Sequence, residues 1–190
     1  MNAAKYGVLC WAAADLDFPH AELTVQNVCE LVKELNKETR FSGLPLGGND
    51  ADITANQVCT WQTGFPLPIS LAGGRPDYDP RQHRTATVLE RDEADTLLWV
   101  SSYRKERTPP ETNIPSIVLG HAGMKFKTEP QVYIPVATPG IDHAGHIFRS
   151  DNVVALPLRA LRNTKLPSAE EIVCAIENQL LSRLKHNHVD

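Results

Sequence analysis

The first third of the chain alternates short apolar runs with amphipathic stretches. Residues Tyr6–Ala14 form a continuous apolar run, which is typical of a strand covered on both faces in a parallel sheet. Apolar side chains then recur at helical spacing over Val25–Leu35, with charged residues between them. Residues Thr39–Leu46 predict a second strand and Asp50–Thr63 a second helix. This order of elements indicates an α/β fold with a parallel sheet.

The rest of the chain adds strands in quick succession and one clear helix. Pro135 has no backbone N–H to donate, so its strand is expected at an edge or a bulge of the sheet. The last two strand segments flank Arg149–Asn152 and predict a hairpin. Ser168 and Glu171 can bond each other's backbone amides in a capping box, which marks the start of a final amphipathic helix. The predicted elements here are a short helix over Thr87–Glu90 and strands over Thr96–Ser101, Ser116–Leu119, Val132–Ala137, His146–Phe148 and Val153–Leu158.

These elements predict one α/β domain with an appended helix. Over residues 1–165 we expect a mainly parallel, Rossmann-like sheet with helices on both faces. Residues 65–83 are dense in proline and glycine and contain alternating hydrophobic residues, which predicts a hairpin insertion. The amphipathic helix of residues 166–185 is expected to pack on this domain.

Composition narrows the class of protein. The chain has 19 Lys and Arg against 23 Asp and Glu, a formal net charge of −4. It therefore has no broad positive surface for nucleic acid or for an anionic membrane. No segment approaches the roughly 20 apolar residues that span a bilayer, and no export signal is recognisable, so we expect a cytoplasmic protein. The cysteines never form a C-x-x-C pair, which predicts reduced and mostly buried thiols at Cys10, Cys29, Cys59 and Cys174.

Candidate chemistry in the sequence is sparse. His143 and His146 lie beside Asp142 and could ligate zinc or iron, but the surrounding glycines and proline favour an ordinary loop. The cysteines sit in apolar or helical settings, which favours packing over reactivity. No Gly-x-Gly-x-x-Gly follows the first strand, no Walker sequence occurs, and the pair Gly47 and Gly48 is a weak phosphate signal. A stand-alone hydrolase using Asp142 and His143 would lack a nucleophile.

Three segments resemble one known family. The run ANQVCTWQTGFP (Ala55–Pro66) resembles the NQ-x-x-TW-x-TG-[FY]-P segment of the B subunit of formylmethanofuran dehydrogenase and its bacterial relatives. The run PVATPGIDHAGHIFRSD (Pro135–Asp151) is similar to the carboxyl-terminal segment of the same family. A third stretch, GRPDYDP (Gly74–Pro80), stands between them where that family has a comparable one. The resemblance therefore spans nearly the whole chain and corresponds to the carboxyl-terminal half of that B subunit.

This resemblance implies a function and also a departure from it. The family belongs to the molybdopterin oxidoreductases, whose B subunit holds tungsten or molybdenum on a pterin guanine dinucleotide beside an iron–sulfur cluster and reduces carbon dioxide to formate. The four cysteines here have no cluster spacing. Residues Ile147–Arg149 and the apolar run after them look closer to the B subunit of the bacterial formyltransferase/hydrolase complex. The resemblance thus implies a structural subunit without a cofactor, whose partners transfer a formyl group from tetrahydromethanopterin to a methanofuran-like carrier and release formate.

Two alternatives follow for individual residues. As a structural subunit, the chain would use Trp61, Phe65, Tyr78 and Phe148 as anchors for partner subunits, or those aromatics would close its own core. As a dehydrogenase subunit, it would still hold part of a pterin guanine dinucleotide in the loops that follow its strands. Neither alternative assigns a catalytic residue or a metal ligand to this chain. The candidate cofactor-binding residues are Gly47, Gly48, Asn49, Ser101, His121, Asp142 and Gly145.

Overall fold

The computed structural model describes residues 4–12, 15–16, 18–47 and 50–186, without the side chain of His186. The candidate residues Gly48 and Asn49, and the last two residues of the predicted first strand, lie outside these ranges. The elements follow the predicted order closely. They are β1 (Tyr6–Ala12), α1 (Ala21–Leu35), β2 (Arg40–Leu46), α2 (Asp52–Thr63), α3 (Thr85–Glu90), β3 (Leu97–Ser101), β4 (Ser116–His121), β5 (Val132–Val136), β6 (Gly145–Phe148), β7 (Ala155–Leu158) and α4 (Ala169–His186).

Parallel strand pairing confirms the α/β prediction. Strands β1 and β2 form a two-stranded parallel sheet, and β3, β4 and β5 form a three-stranded parallel sheet with β4 in the middle. Strand β5 is an edge strand, as Pro135 predicted. Strands β6 and β7 pair with each other and account for the predicted hairpin. The parallel strands are thus divided between two sheets, whereas the sequence suggested a single one.

The chain divides into two compact units. Unit 1 comprises Met1–Thr54 and Phe148–Leu156, and unit 2 comprises Ala55–Ile147 and Pro157–Asp190. In unit 1 the buried residue Phe41 lies over Gly7, where the ring occupies the position that any Cβ would need. Asn36 follows α1 and accepts a hydrogen bond from the Phe41 backbone N–H at 2.9 Å. These contacts fix the connection between α1 and β2.

The core of unit 2 surrounds β4. Val118 and Leu119 of β4 are fully buried, and Val136 at the end of β5 is nearly so. Met124, in the turn after β4, adds a fourth buried side chain. A middle strand with two neighbours is the place where a continuous apolar run is covered on both faces.

The first strand and the cysteines are less buried than the sequence predicted. In β1 the side chains alternate between half-buried and exposed, with Tyr6 58% and Val8 46% exposed. All four cysteines are free, and Cys10, Cys29 and Cys174 are exposed, so the prediction of mostly buried thiols is wrong. For β1 and its Cys10 the physical reason is that an apolar run needs cover on two faces, whereas the described residues supply it on one. Cys29 and Cys174 lie on exposed faces of α1 and α4.

Helix α4 begins as predicted. The Ser168 backbone N–H donates to Glu171 Oε2 at 2.7 Å, and the Glu171 N–H donates to Ser168 Oγ at 3.1 Å, which confirms the capping box. From Val173 to Lys185 every residue of the helix is exposed. Among the helices that the structure describes, none has the length and apolar character needed to cross a bilayer.

Candidate functional site

The carboxyl ends of β3, β4 and β5 meet at one edge of the three-stranded sheet. Ser101 ends β3 and lies opposite Gly120, while His121 ends β4 and lies opposite Val136 of β5. In parallel α/β sheets this is the edge at which ligands bind. The structure therefore brings Ser101 and His121, two of the predicted candidates, to the expected place.

Asp142 closes the loop that follows β5. Its Oδ2 accepts the Thr138 backbone N–H at 2.9 Å, and its Oδ1 accepts Arg162 Nε at 2.5 Å. The Thr138 hydroxyl donates in turn to the carbonyl oxygen of Ser102 at 2.8 Å, which ties this loop to the end of β3. The hydrogen bond from Arg162, followed by the one from Thr138, lowers the pKa of the Asp142 carboxyl. Asp142 is thus held ionised as a structural anchor, with both oxygens occupied.

Ser101 presents a different situation. Its hydroxyl oxygen is buried and has no hydrogen-bond partner among the residues that the structure describes. A buried hydroxyl without a partner costs free energy, and such groups often mark a place where a water or a ligand binds. Among the described residues, Ser101 is therefore the predicted candidate whose buried polar atom is left without a partner at this edge.

His121 is engaged in its own turn. Its Nδ1 accepts the Gly123 backbone N–H at 3.0 Å, and its carbonyl oxygen accepts the Tyr133 hydroxyl at 2.6 Å. Burial of Tyr133 raises the pKa of its phenol, so the hydroxyl remains a donor. These bonds hold the turn between β4 and Met124 in place.

Glycines at this edge do not leave an open cradle. A Cβ at Gly120 would collide with the sulfur of buried Met124, so the space above Gly120 is already filled. Gly145 is less crowded, because a Cβ there would meet only Pro139 at an ordinary 3.5 Å. Gly47 belongs to unit 1, where its N–H donates to the Ser150 carbonyl oxygen at 3.2 Å.

The first matched segment stabilises the turn after α2. The side-chain oxygen of Asn56 accepts the Leu67 N–H at 2.8 Å, and the Thr63 hydroxyl accepts the Phe65 N–H at 3.2 Å. The Phe65 ring stacks on that of Tyr78 in the third matched segment, Gly74–Pro80, with centroids 5.8 Å apart. Trp61 is 67% exposed, so the alternative that it closes the core is wrong.

Hydrogen bonds with a structural role also occur in the proline- and glycine-rich stretch of residues 65–83. Ser70 and Asp77 exchange two backbone hydrogen bonds of 2.9 Å, which form an isolated antiparallel bridge. Asp79 Oδ1 then accepts the N–H groups of Arg81 and Gln82 at 2.9 and 3.0 Å, and these bonds, that of Gln82 first, lower the pKa of Asp79. The matched residues thus have structural tasks in this part of the chain.

The potential metal ligands among the described residues do not converge on a common site. Within residues 4–12, 15–16, 18–47 and 50–186, no group of three or more His, Cys, Asp and Glu residues could hold a metal ion. His143 Nδ1 forms a 2.7 Å hydrogen bond with the adjacent Ala144 carbonyl. Iron–sulfur clusters require several converging thiolates. The donor set in the described part of the chain therefore does not fit an iron–sulfur cluster.

Three residues that build this site were not predicted from the sequence. Arg162 lies twenty residues after its partner Asp142, and Met124 and Thr138 fill or brace the edge without any motif of their own. The only available signal was the aspartate after a strand, because a carboxylate buried in such a position requires a cation or backbone amides as partners.

The fold and the site together define the chain as an α/β protein. At the carboxyl ends of β3, β4 and β5, where such proteins bind ligands, most of the space and most of the polar groups are taken up by contacts within the chain itself. Comparison with known proteins identifies particular relatives of this chain. The chain is 27% identical over 155 residues to the B subunit of the tungsten-containing formylmethanofuran dehydrogenase 2 of Methanocaldococcus jannaschii, and this match covers 79% of this chain and 36% of the relative. It is 26% identical over 184 residues to the B subunit of the formyltransferase/hydrolase complex Fhc of Methylorubrum extorquens, covering 96% of this chain and 50% of that one.

A solved structure shows the same fold. A chain of the formyltransferase/hydrolase complex FhcABCD from Methylorubrum extorquens, crystallised with methylofuran, matches with a TM-score of 0.78 and 23% identity. The match covers 96% of this chain and 51% of the other. No family model matches the chain. The resemblance to the two kinds of B subunit is thereby confirmed, and the chain spans half or less of the length of these relatives.

Proposed function

We propose that this chain is a structural part of a one-carbon formyl-handling complex related to formylmethanofuran dehydrogenase, and that it carries no redox centre of its own. Partner subunits transfer a formyl group from a tetrahydromethanopterin carrier to a methanofuran-like carrier and release formate. The proposal follows the relative from the Fhc complex, whose match covers nearly all of this chain. We place the protein in the cytoplasm, as a Rossmann-like domain of residues 1–165 with a hairpin insertion at residues 65–83 and an appended helix.

The observation that supports this proposal most directly is the way the Asp142 carboxylate is bonded within the chain. It is one of the two aspartates of the matched carboxyl-terminal segment, and its two carboxylate oxygens accept hydrogen bonds from Thr138 and Arg162. A carboxylate that acts as a general acid or base needs an accessible oxygen and a pKa near the working pH. Asp142 has neither, because its side chain is only 2% exposed and its pKa is lowered. A structural role suits this geometry.

A chimeric subunit tests the proposal. The segment of the Methylorubrum extorquens B subunit that matches this chain is replaced by residues 1–190, and the chimera is co-expressed with the three other subunits of the Fhc complex. We expect the four polypeptides to co-purify in one complex that releases formate from a formylated carrier. A variant of that B subunit that lacks the matched segment serves as the control and is expected to assemble poorly. A chimera that stays apart from the three other subunits contradicts the proposal.

One observation favours the second candidate function, a subunit that still contacts part of a pterin guanine dinucleotide. The buried hydroxyl of Ser101, without a partner among the described residues, stands at the edge where such a ligand would lie. The filled space above Gly120 argues against it. Calorimetric titration of the purified chain with GDP separates the two functions. Saturable binding that Ser101→Ala abolishes would favour the second, and an absence of heat would favour the first.

A further inference from the structure

The chain exposes more surface than a self-contained protein of its mass. Its accessible surface is 13837 Å², whereas a compact monomer of 21.0 kDa exposes about 9,000 Å². Two independent compact bodies of the sizes of units 1 and 2 would together expose about 11,000 Å². Even two fully separated units would therefore leave part of this excess unexplained. That part exceeds the roughly 800 Å² per partner that a standard interface buries.

The clearest single part of this excess is the apolar face of α4. Ile176 is 38% exposed, Leu180 56% and Leu184 56%, and these residues follow one another at four-residue spacing along one side of the helix. Beside them a groove of about 430 Å³ lies between α4 and β5, and Ile134, Ile172, Ile176, Leu180 and Arg183 are among the residues that line it. Most of the stability of a helix in a protein comes from the packing of its apolar face, so α4 needs a cover for this face.

The lengths of the relatives indicate what that cover is. The match to the FhcABCD chain takes up 96% of the present chain but only 51% of that chain. The relative therefore contains a second portion, about as long as the present chain, that lies outside the match. A single folded subunit must bury the apolar surface between its two portions. The accessible surface that this chain exposes beyond the value for compact bodies of its mass is large enough to form an interface with such a portion.

We propose that the α4 surface, defined as Ile134, Ile172, Ile176, Leu180, Arg183 and Leu184, is where the complementary portion of the B subunit docks. The occupant is a folded polypeptide that corresponds to the part of the Fhc relative outside the match, either in the same polypeptide or as a separate one. It presents apolar side chains to the groove and an acidic group to Arg183, the cation in its lining. The proposed function supplies only the identity of this occupant, whereas the surface itself follows from the exposure of α4.

Binding in trans tests this assignment. Residues 1–190 are co-expressed with the portion of the Methylorubrum extorquens B subunit that lies outside the match, and the mass of the product is measured by light scattering after gel filtration. We expect one copy of each polypeptide, with slower amide hydrogen exchange throughout α4 than in the chain alone. Ile176→Glu and Leu180→Glu should each weaken the association at least about tenfold, because they place a charge in the desolvated centre.

Matched controls separate an interface effect from a folding effect. Leu161→Glu changes an even more exposed leucine, at 78%, outside α4 and is expected to leave binding unchanged. Because Leu180 is exposed in the chain alone, Leu180→Glu should leave the urea unfolding midpoint of the isolated chain unchanged. The proposal is overturned if the two polypeptides do not associate, if exchange slows elsewhere but not in α4, or if α4 instead pairs two copies of this chain. If the halves bind through α4 while the chimera fails to join the other Fhc subunits, the docking surface stands and the proposed function falls.

Discussion

Replacing Asp142 by asparagine is the sharpest test of its structural role. The side chain of Asp142 is 2% exposed and accepts one hydrogen bond from the Thr138 backbone and one from Arg162. Asparagine keeps the shape and one acceptor oxygen, but it removes the charge and turns an amide N–H₂ towards one of the two donors. A hydrogen bond to a charged group contributes about 1.5–3 kcal/mol to stability. The Arg162 side chain is largely exposed, so water screens its share of the interaction.

We therefore expect Asp142→Asn to lower the free energy of unfolding by about 2 kcal/mol at pH 7, mostly through the buried bond to Thr138. For a chain of this size the melting temperature should fall by about 4–8 °C. Urea unfolding followed by tryptophan fluorescence measures the first quantity, and calorimetry measures the second. Glu111→Gln, which removes an exposed ion pair with Lys127, is the matched control and should have little effect.

The pH dependence of the stability difference gives the result that could refute this structural role. The pKa of Asp142 is lower in the folded chain than in the unfolded one, where it is about 3.9. Its contribution to stability is therefore complete above the unfolded value and disappears as the pH falls through the folded value. The difference between the wild type and Asp142→Asn should be constant from pH 7 to about pH 5 and shrink below about pH 4. A difference that stays the same at pH 3 would refute the structural anchor.

Three further predictions concern the sheet edge and α4. Gly120→Ala should destabilise the chain by about 1–3 kcal/mol because its methyl group would collide with Met124. Gly145→Ala makes only an ordinary contact and should be nearly neutral. Thermal melts compare the two variants directly, and equal melting temperatures would contradict the packing argument. Ser101→Ala should leave the urea midpoint unchanged or raise it, since the removed hydroxyl has no partner in the described structure, and a clear loss of stability would reveal an overlooked bond. Ser168→Ala should remove about 1 kcal/mol from α4 and speed amide exchange in its first turn, and unaltered exchange there would show that the cap is not used.

The elements of this fold were more predictable than their burial. Periodicity located α1, β2 and α4 to within a few residues, because hydrophobic spacing reports directly on secondary structure. Burial depends on what covers an apolar face. For Tyr6, Val8 and Cys10 of β1, nothing in the sequence indicated that cover would be missing in the described residues. Local pattern therefore predicts which faces are apolar but not which polypeptide covers them.

The candidate site was predictable in location and only partly in content. The rule that parallel strands present their carboxyl ends at one edge places Ser101 and His121 correctly. It does not predict that Met124 fills the space above Gly120 or that Arg162 pairs with Asp142, since both depend on packing beyond the local pattern. The matched segments identified relatives, yet the structure was needed to show that their residues make structural bonds.

Metal content is the measurement that most directly tests the central claim, the absence of a redox centre on this chain. The chain is expressed together with the three other subunits of the Fhc complex in medium containing both tungstate and molybdate, and the purified material is analysed by inductively coupled plasma mass spectrometry and by the fluorescence of oxidised pterin. The account predicts no stoichiometric tungsten, molybdenum or iron and no pterin fluorescence. One tungsten or molybdenum atom per chain, accompanied by pterin, would contradict it.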